Sequence, residues 1–503
     1  MERVGTGMDL AYLLRRAGRE RPTALAVDDG VSQLATSELL NRSERFANAL
    51  DVLRLAPGAR VGILSENRTE YVEVDLGIAL ARRVRVALNA RLALEDFRYC
   101  LVDAGATALV YSAAHRETAA ALCEDLGLAP IDLDDTGERG YTGMLAGASP
   151  VPVVREADVE ALAWITYTSG TTGRPKGVML SHRAIREVAM NLLLELGPKN
   201  PGEGIVLTQA LSHGAGYFVL PFVLSGGCIR VLRKFDPEEV VAVSANAALR
   251  TLKIVPAMLP PLLELNQTLD FESIVYGASP ITIPLLEESL DRFGPVLMQI
   301  YGQAECPVTL TLLDKESHLH PELRQSAGRA WRSVAVEIRA PDGTRVSPGE
   351  QGEVTVAGAQ MMTGYWGLDS VTAEVLHDGW LSTRDMGWAD DRGYVHLVGR
   401  SDEMINSGGY NVAPREVERV ILEHSSVADC AVVGVPDDRW GAAVCAIVCP
   451  RGDLDIVELM AFLRERLGFR APKRIVIAAQ IPTNAYGKVD RRRLMTIVEA
   501  DQA

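Results

Sequence analysis

Hydrophobic and polar positions alternate between two patterns along the first 130 residues. Segments with the 3.6-residue period of an amphipathic helix include 37–50, whose apolar face carries Leu40 and Phe46. Short apolar runs between such segments are typical of buried strands: Ala24–Val27, Val61–Leu64 and Ala108–Tyr111. The same alternation resumes over residues 205–300. Alternating strands and helices predict an α/β fold with largely parallel sheets.

Two stretches depart from this alternation. Residues 131–160 are acidic and rich in turn formers, and we predict a surface connection there. From 326 to 400, Gly, Pro and Asp turns separate short β-type runs, which predicts a small antiparallel sheet or barrel. These runs are Ala335–Ile338, Gly352–Val356 and Tyr394–Val398.

The last hundred residues show a third pattern. Pro414 is placed to open a helix with Val417 and Ile421 on one face, and Asp455 is placed to cap a second helix. Between them lie two strand-like runs, 428–435 and 442–448. We predict a compact α+β domain that begins at residues 400–402.

Length, charge and composition narrow the class of protein. A chain of 503 residues is too long for one ordinary core and predicts two or three domains. The net charge is −15 and no Lys/Arg run marks a nucleic-acid face, so we expect a small-molecule partner and no nucleic acid. The apolar run 217–224 contains Pro221 and is too short to span a bilayer. We expect a soluble cytoplasmic protein without membrane insertion, and a homodimer is left open.

Cysteine usage points to a reducing compartment. The seven cysteines are odd in number and no two have C-x-x-C spacing. Cys445 and Cys449 lie in or beside the apolar run 442–448, so we predict buried strand thiols there rather than a metal site.

The segment Tyr167-Thr-Ser-Gly-Thr-Thr-Gly-Arg-Pro-Lys-Gly177 carries the strongest chemical signal. Its glycines let backbone amides approach phosphate oxygens, its hydroxyls donate hydrogen bonds, and Arg174 and Lys176 offset negative charge. It is not a Walker loop, because Pro175 precedes the lysine, Gly177 follows it, and both flanks read as strands. It therefore predicts a phosphate-binding loop of another kind.

This loop resembles the signature loop of the acyl- and aryl-adenylate-forming superfamily. Four further motifs of that superfamily follow in the same order and cover essentially the whole chain. The resemblance favours the acyl-CoA synthetase branch. It implies that the loop binds ATP phosphates through Thr168, Ser169, Gly170, Thr171, Thr172 and Lys176.

The second motif is Tyr301-Gly302-Gln303-Ala304-Glu305. By resemblance, Tyr301 packs on adenine and Glu305 holds Mg²⁺, a sensible role for a carboxylate beside a triphosphate. Upstream, Gly277-Ala278-Ser279 resembles the segment that lines the adenine site. Relatives commonly have Thr where this chain has Ala304. Either the hydroxyls of the signature loop compensate, or the nucleotide is held somewhat differently.

The third and fourth motifs surround the predicted domain boundary. Asp385 matches the aspartate that binds both ribose hydroxyls, and Arg384 stands where the family has Gly. The Arg384 side chain either adds bulk and charge near the nucleotide or points to solvent. Arg400 resembles a second ribose or phosphate contact, and Asp402 matches the hinge of the small domain. Gly408-Gly409 resembles the loop that borders the pantetheine tunnel.

The fifth motif and three histidines complete the candidate residues. Lys488 occupies the position of the family's catalytic lysine, where an ammonium stabilises charge that builds at the α-phosphorus. His213 matches a position that borders the acyl pocket and gates thiol access. His318 and His320 have the spacing of a metal pair but lack a third ligand, so we predict a polar loop.

The resemblance implies a large N-terminal region with two α/β subdomains and a small β-barrel subdomain, and a small mobile α+β C-terminal domain. We place these at residues 1–401 and 402–503. The implied function is ATP- and Mg²⁺-dependent activation of an acid as an acyl-adenylate, followed by thioester formation with coenzyme A. An aromatic or medium-chain carboxylate is favoured by apolar residues expected near the pocket: Tyr217, Phe218, Val219 and Met298. A carrier-protein acceptor, an oxyacid substrate such as nitrite, and a non-catalytic nucleotide-binding scaffold remain as alternatives.

Overall fold

The computed structural model describes residues 8–153, 158–168, 174–198, 200, 202–408, 410–437, 439–483 and 489–501. Within these ranges the chain divides into two compact units. The first comprises residues 1–280, 285–335 and 357–381, and the second comprises 281–284, 336–356 and 382–503. None of the described helices is both long and apolar enough to cross a membrane.

The elements up to residue 168 alternate as the hydrophobic pattern predicts. In chain order they are α1 (Leu10–Glu20), β1 (Leu25–Asp28), β2 (Gln33–Ala35), α2 (Thr36–Val52), β3 (Arg60–Leu64), α3 (Thr69–Leu80), β4 (Val84–Ala87), α4 (Leu94–Ala104), β5 (Ala106–Tyr111), α5 (Arg116–Leu126), β6 (Ala129–Asp132), α6 (Tyr141–Gly147) and β7 (Leu162–Thr168).

The next elements run to residue 330. They are β8 (Lys176–Ser181), α7 (His182–Leu196), β9 (Gly204–Leu207), α8 (Val219–Ser225), β10 (Ile229–Val231), α9 (Pro237–Ser244), β11 (Leu249–Lys253), α10 (Leu259–Glu264), β12 (Ser273–Gly277), α11 (Ile283–Phe293), β13 (Leu297–Gln303), β14 (Cys306–Leu313), α12 (Lys315–His318) and β15 (Arg329–Ala330).

The remaining elements complete the chain. They are β16 (Ala335–Arg339), β17 (Gly352–Ala357), β18 (Gly364–Tyr365), α13 (Asp369–Val375), β19 (Leu376–His377), β20 (Trp380–Ala389), β21 (Val395–Arg400), β22 (Ile405–Ser407), β23 (Tyr410–Val412), α14 (Pro414–Leu422), β24 (Val427–Asp437), β25 (Gly441–Pro450), α15 (Ile456–Leu467), β26 (Arg474–Ile477) and α16 (Arg491–Ala500).

Two large sheets form the first unit, and both have a parallel centre. One has nine strands in the order β15-β14-β13-β12-β11-β9-β10-β1-β2, of which the six from β13 to β1 are parallel to one another. The other has seven strands in the order β18-β8-β7-β4-β3-β5-β6, with an antiparallel β7–β8 hairpin beside the parallel strands. The predicted α/β architecture is confirmed.

The second unit contains two small sheets. Strands β16, β17, β20 and β21 belong to one of them, and β20 and β21 pair antiparallel. The other has the order β23-β22-β25-β24, with β26 parallel to β25. Apolar side chains of α14 and α15 pack against the second of these sheets, as the amphipathic pattern predicts. Asp455 caps α15 by accepting hydrogen bonds from two backbone amides, which confirms its predicted role.

The prediction of a surface connection over residues 131–160 is wrong in part. This stretch contains α6, whose first residue, Tyr141, is 1% exposed. Its hydroxyl donates to Glu73 Oε2 at 2.6 Å, and its ring lies 5.6 Å from that of Phe46. One aromatic residue in an otherwise polar stretch gives too weak a period to predict a helix, yet burial of its ring anchors one.

The prediction of buried thiols is confirmed. All seven cysteines are buried and free, and Cys445 and Cys449 lie in β25. Burial raises the pKa of Cys445 to about 11, so its thiol is protonated at neutral pH.

Candidate active site

Parallel strands in the nine-stranded sheet bring several predicted residues of the first unit to one edge. Because β9, β11, β12 and β13 are parallel, their carboxyl ends meet at the same edge, where ligands bind in open α/β sheets. Gly277 ends β12, Gln303 ends β13, and the loop that carries His213 follows β9. Segments far apart in sequence are therefore neighbours at this edge.

Glu305 and Lys176 share one aromatic neighbour, Tyr365. The Tyr365 hydroxyl donates to Glu305 Oε1 at 2.7 Å, and Lys176 Nζ lies 5.2 Å from the centroid of the Tyr365 ring. Tyr365 is buried, in strand β18 beside β8. The structure thus brings together the predicted metal ligand and the predicted phosphate-binding lysine.

Sequence reasoning missed Tyr365. Its signal was the Gly364-Tyr365-Trp366 triplet, a glycine followed by two large aromatic residues in a polar stretch. Its first two residues form strand β18 because Tyr365 and Gly364 pair with Val178 and Met179 of β8, which only the tertiary fold places there.

The hairpin that carries the signature loop is anchored at its base. Tyr167 donates through its hydroxyl to Asp103 Oδ2 at 2.6 Å, and Trp366 Nε1 donates to the Asp103 carbonyl at 2.9 Å. Burial and the Asp103 hydrogen bond raise the pKa of Tyr167, so its hydroxyl remains a donor. Thr168 pairs with Lys176 across the hairpin. Ser169, Gly170, Thr171 and Thr172 lie outside the described residues.

The backbone around the second motif adopts unusual conformations. Val308 has φ +47° and Ala278 has φ +71°, in the left-handed region that β-branched residues rarely enter. A Cβ on Gly302 would lie 2.5 Å from the Val308 amide nitrogen, so only glycine fits there. The turn between β13 and β14 is thereby held in a specific shape with Ala304 and Glu305 at its tip.

Two buried polar side chains hold the loop that carries His213. Asn67 donates to the carbonyl of Gln209 and accepts from the amide of Leu211, at 2.7 and 2.8 Å. Arg85 Nη2 donates to the Leu211 carbonyl at 2.7 Å. His213 itself lies 2.8 Å from Ser212 Oγ through Nδ1. The position of His213 therefore depends on residues contributed by the other large sheet.

Arg85 also belongs to a buried cluster beneath this loop. Its Nε lies 3.0 Å from Asp75 Oδ1, and its guanidinium lies 4.0 Å from the centroid of the Trp164 ring. The Trp164 ring lies 5.0 Å from that of Tyr217. Tyr217, Phe218 and Val219 are buried, so the predicted apolar character near His213 is present.

Two expectations about single residues are corrected. His318 is not in a polar loop. It is fully buried at the end of α12, with Nε2 2.9 Å from the Tyr276 hydroxyl and Nδ1 2.7 Å from the Asp314 carbonyl. Burial lowers the pKa of His318, which favours the neutral ring.

Met298 lies near the beginning of β13, at the end of the strand opposite to Gln303, and lines a cavity with Glu203.

The second unit brings three predicted residues together. Asp385 pairs with Arg400 across β20 and β21, with Arg400 Nη1 3.8 Å from Asp385 Oδ1. Arg400 Nε donates to Asp402 Oδ1 at 3.1 Å. Burial opposes the charge on Arg400, but the two aspartates raise its pKa above the ordinary value. Asp385 is buried.

The conformation of Arg384 accounts for the family's glycine at this position. Its φ is +59°, in the left-handed region where glycine is free of strain. Its amide donates to Glu353 Oε1 at 2.8 Å, and Ser382 Oγ donates to the same oxygen. Backbone contacts thus fix a conformation that suits glycine better than arginine.

The remaining predicted residues are only partly described. Gly408 has φ +61°, and a Cβ there would lie 2.6 Å from the Trp440 ring, so glycine is required. Gly409 and Lys488 lie outside the described residues.

Comparison with known proteins identifies the class of enzyme. The family model of the AMP-binding enzymes matches residues 14–366, and the model of their C-terminal domain matches residues 416–488. Feruloyl-CoA synthase of Amycolatopsis sp is 35% identical over 489 residues, covering 95% of this chain and 96% of that protein. The medium/long-chain-fatty-acid–CoA ligase FadD8 of Mycobacterium tuberculosis is 35% identical, and the match covers 92% of this chain and 85% of that protein.

Solved structures agree with this assignment. The amide bond synthetase McbA of Marinactinospora thermotolerans has a TM-score of 0.88 at 29% identity, covering 97% of this chain and 99% of that chain. O-succinylbenzoate coenzyme A synthetase of Bacillus subtilis, solved with ATP and a magnesium ion, has a TM-score of 0.86 at 27% identity, covering 96% and 99%. The chain belongs to the AMP-binding enzyme family, in its branch of AMP-forming acyl-CoA synthetases. Enzymes of this branch activate an acid as its AMP ester and then form a CoA thioester.

Proposed function

We propose that this enzyme activates an aromatic or medium-chain carboxylate with MgATP and transfers the acyl group to coenzyme A. The observation that carries the proposal is the Glu305–Tyr365–Lys176 cluster, which sets a carboxylate and a cation on one tyrosine. An enzyme that binds MgATP needs a metal ligand and a phosphate-binding cation side by side. The buried aromatic residues near His213 support the acid class.

Glu305 fits a magnesium ion. Its Oε1 accepts the Tyr365 hydrogen bond, which orients the carboxylate and leaves Oε2 for a hard cation. Within the described ranges, no cluster of three or more acidic, His or Cys side chains could hold a metal. A single carboxylate is nevertheless what Mg²⁺ needs when substrate phosphates supply the other ligands. When bound, Mg²⁺ would offset phosphate charge and orient the triphosphate.

Each nucleotide-binding role rests on the chemistry of the residue. Lys176, with the four hydroxyls and the one glycine of residues 168–172, binds the phosphates. The backbone of residues 277–279 and the Tyr301-Gly302-Gln303-Ala304 segment bind adenine. Asp385 accepts hydrogen bonds from the ribose hydroxyls, and Arg400 donates to ribose or phosphate.

Lys488 and the residues near the hinge divide the reaction into two steps. In the first, Lys488 stabilises the charge that develops at the α-phosphorus as the acid oxygen attacks and pyrophosphate leaves. The C-terminal domain, residues 402–503, then rotates at Asp402 and withdraws Lys488. Gly408 and Gly409 border the passage for the thiol, which attacks the adenylate as His213 admits it.

The proposal is tested by acid-dependent pyrophosphate release, followed by mass detection of the acyl-CoA product. We expect both with wild type. We expect Glu305→Gln to lose at least ~10-fold in pyrophosphate release, because the amide is a poor Mg²⁺ ligand but keeps the shape of the side chain. The matched control is Glu20→Gln, a surface residue paired with Arg16, which should behave as wild type.

The outcomes separate the alternatives. Pyrophosphate release without a CoA thioester would refute coenzyme A as acceptor and favour a carrier-protein thiol. Absence of pyrophosphate release with every acid tested, nitrite included, would refute the enzyme and favour a nucleotide-binding scaffold.

A further inference from the structure

Lys253 is a buried lysine at the same sheet edge as the candidate active site. It is the last residue of β11, which lies between β9 and β12 in the parallel part of the nine-stranded sheet. Its backbone pairs with Leu207 on one side and Val275 on the other. Lys253 therefore ends at the edge from which the His213 loop and the Gly277-Ala278-Ser279 segment emerge.

The ammonium group of Lys253 is enclosed without an acidic partner. The residue is 2% exposed, and Nζ donates to the Ile254 carbonyl at 2.9 Å. No carboxylate in the described part of the chain forms an ion pair with it, whereas the equally buried Arg85 lies beside Asp75. Burial lowers the pKa of Lys253 to about 7. An ammonium has three N–H donors, and one carbonyl does not satisfy them.

Such a group is costly to the fold. An unpaired cation in an apolar interior destabilises the folded state, and a methionine of similar size would avoid that cost. Stability therefore gives no reason for a lysine at this position. A lysine here is explained if an anion that belongs to a ligand completes the pair.

Lys253 lies close to the residues that we propose line the acid pocket. Nζ lies 5.9 Å from the centroid of the Phe218 ring, and Phe218 follows the His213 loop directly. The Lys253 carbonyl accepts from Thr208 Oγ1 at 2.8 Å, just after β9. Adjacent strands lie about 4.8 Å apart, so β11 is about 10 Å from β13, which carries Tyr301. That separation suits opposite ends of a small acid.

Resting on the proposed function, we propose that Lys253 recognises a second anionic oxygen group on the acid substrate, at the end remote from the activated carboxylate. The substrate class is then a dicarboxylate, or a phenolic acid whose hydroxyl proton passes to the neutral Lys253 amine so that the acid binds as its phenolate. Lys253 is a specificity residue: its ammonium pairs with the distal anion and takes no part in the chemistry at the α-phosphorus.

The test compares acids that differ only at the far end. Cinnamate, 4-hydroxycinnamate and 4-carboxycinnamate form one set, and octanoate and octanedioate form another. We expect wild type to prefer at least one acid with a second acidic group at the far end over its parent acid by ~10-fold or more in kcat/KM for pyrophosphate release, the value of a hydrogen bond to a charged group. The hydroxy and carboxy arms distinguish a phenolic from a dicarboxylic substrate.

Lys253→Met keeps an unbranched side chain one atom shorter and removes the charge. We expect it to bring the ratio of kcat/KM for the acid with a second acidic group to kcat/KM for its parent acid close to one. Lys315→Met is the matched control, since Lys315 also donates to a backbone carbonyl, that of Glu272, but lies after β14 away from this edge. That variant should retain the wild-type ratio. A thermal midpoint of Lys253→Met no lower than that of wild type shows that it folds.

Three results would overturn the inference: no preference in wild type across both sets, an unchanged kcat/KM ratio in Lys253→Met, or an equal loss for the acids with and without a second acidic group. Failure of the proposed function is a separate result, because no acid would then release pyrophosphate. Calorimetric binding of the same acids at pH 8, in two buffers of different ionisation enthalpy, decides the inference in that case. Proton uptake on binding 4-carboxycinnamate or octanedioate, lost in Lys253→Met, supports a dicarboxylate substrate. Equal affinity of wild type and Lys253→Met for these two acids and for 4-hydroxycinnamate refutes the inference.

Discussion

Replacing Arg85 by methionine would remove a cation that lies in the middle of the buried cluster beneath the His213 loop. Methionine fills much of the same volume but cannot pair with Asp75 or donate to the Leu211 carbonyl. The stacking of the guanidinium on Trp164 would also be lost. The substitution therefore leaves a buried carboxylate and a buried carbonyl without their partner.

The expected destabilisation is large because both members of the pair are buried. The side chains of Arg85 and Asp75 are 2% and 5% exposed, and breaking such a pair costs about 3–5 kcal/mol. The matched control is Arg16→Met, which breaks a 2.7 Å pair with Glu20 whose side chains are 54% and 52% exposed. A surface pair of this kind contributes about 0–1 kcal/mol. Because the two ion pairs have similar lengths, a difference between their losses of stability reports the effect of burial.

The assay is urea unfolding followed by tryptophan fluorescence, with steady-state kinetics on the same samples. A double variant, Arg85→Met with Asp75→Leu, should recover about 2 kcal/mol relative to the single variant, since no charge is then buried. It should not recover the wild-type KM for the acid, because the Leu211 carbonyl still lacks its donor. A loss as small as that of Arg16→Met, or a double variant less stable than the single one, would refute the reasoning.

Three further predictions follow from other positions. Arg384→Gly should be more stable than Arg384→Ala by about 1 kcal/mol in thermal unfolding. A non-glycine residue in the left-handed region costs roughly 1–2 kcal/mol, and the greater freedom of glycine in the unfolded chain offsets part of that gain. A Gly variant no more stable than the Ala variant contradicts this prediction. Lys253→Met should be more stable than wild type at pH 7, with the gap narrowing as pH rises from about 7 towards 10. In that pH range the lysine of the unfolded chain still holds a proton that the lysine of the folded chain has released. The stability of wild type therefore rises by up to about 1.4 kcal/mol per pH unit. A difference in stability between variant and wild type that stays constant with pH would show that the folded pKa is not lowered. Lys488→Ala should lose at least ~10²-fold in adenylation but keep thioester formation from preformed adenylate, and equal loss of both steps would count against two separate conformations.

Local pattern was sufficient for the architecture. Alternating apolar runs and 3.6-residue periods predict the strands and helices of both large sheets, because burial on both faces of a parallel sheet leaves a strong mark on sequence. The pattern failed over residues 131–160, where α6 depends on Tyr141 contacting Glu73 and Phe46. It also failed at His318, since its burial depends on Tyr276, which is distant in sequence.

The sequence by itself determined the family and the residues that match its motifs, because glycines, hydroxyls and charges at fixed spacing carry the chemistry of phosphate binding. Only the tertiary structure decided which groups meet. Tyr365 lies between Glu305 and Lys176 because β18 pairs with β8, and no local rule encodes that pairing. Lys253 reads as an ordinary strand residue until the parallel order of β9, β11 and β12 encloses it at the edge of the candidate site. The physical reason is that burial and charge pairing are properties of neighbours in space, whereas spacing along the chain records only neighbours in sequence.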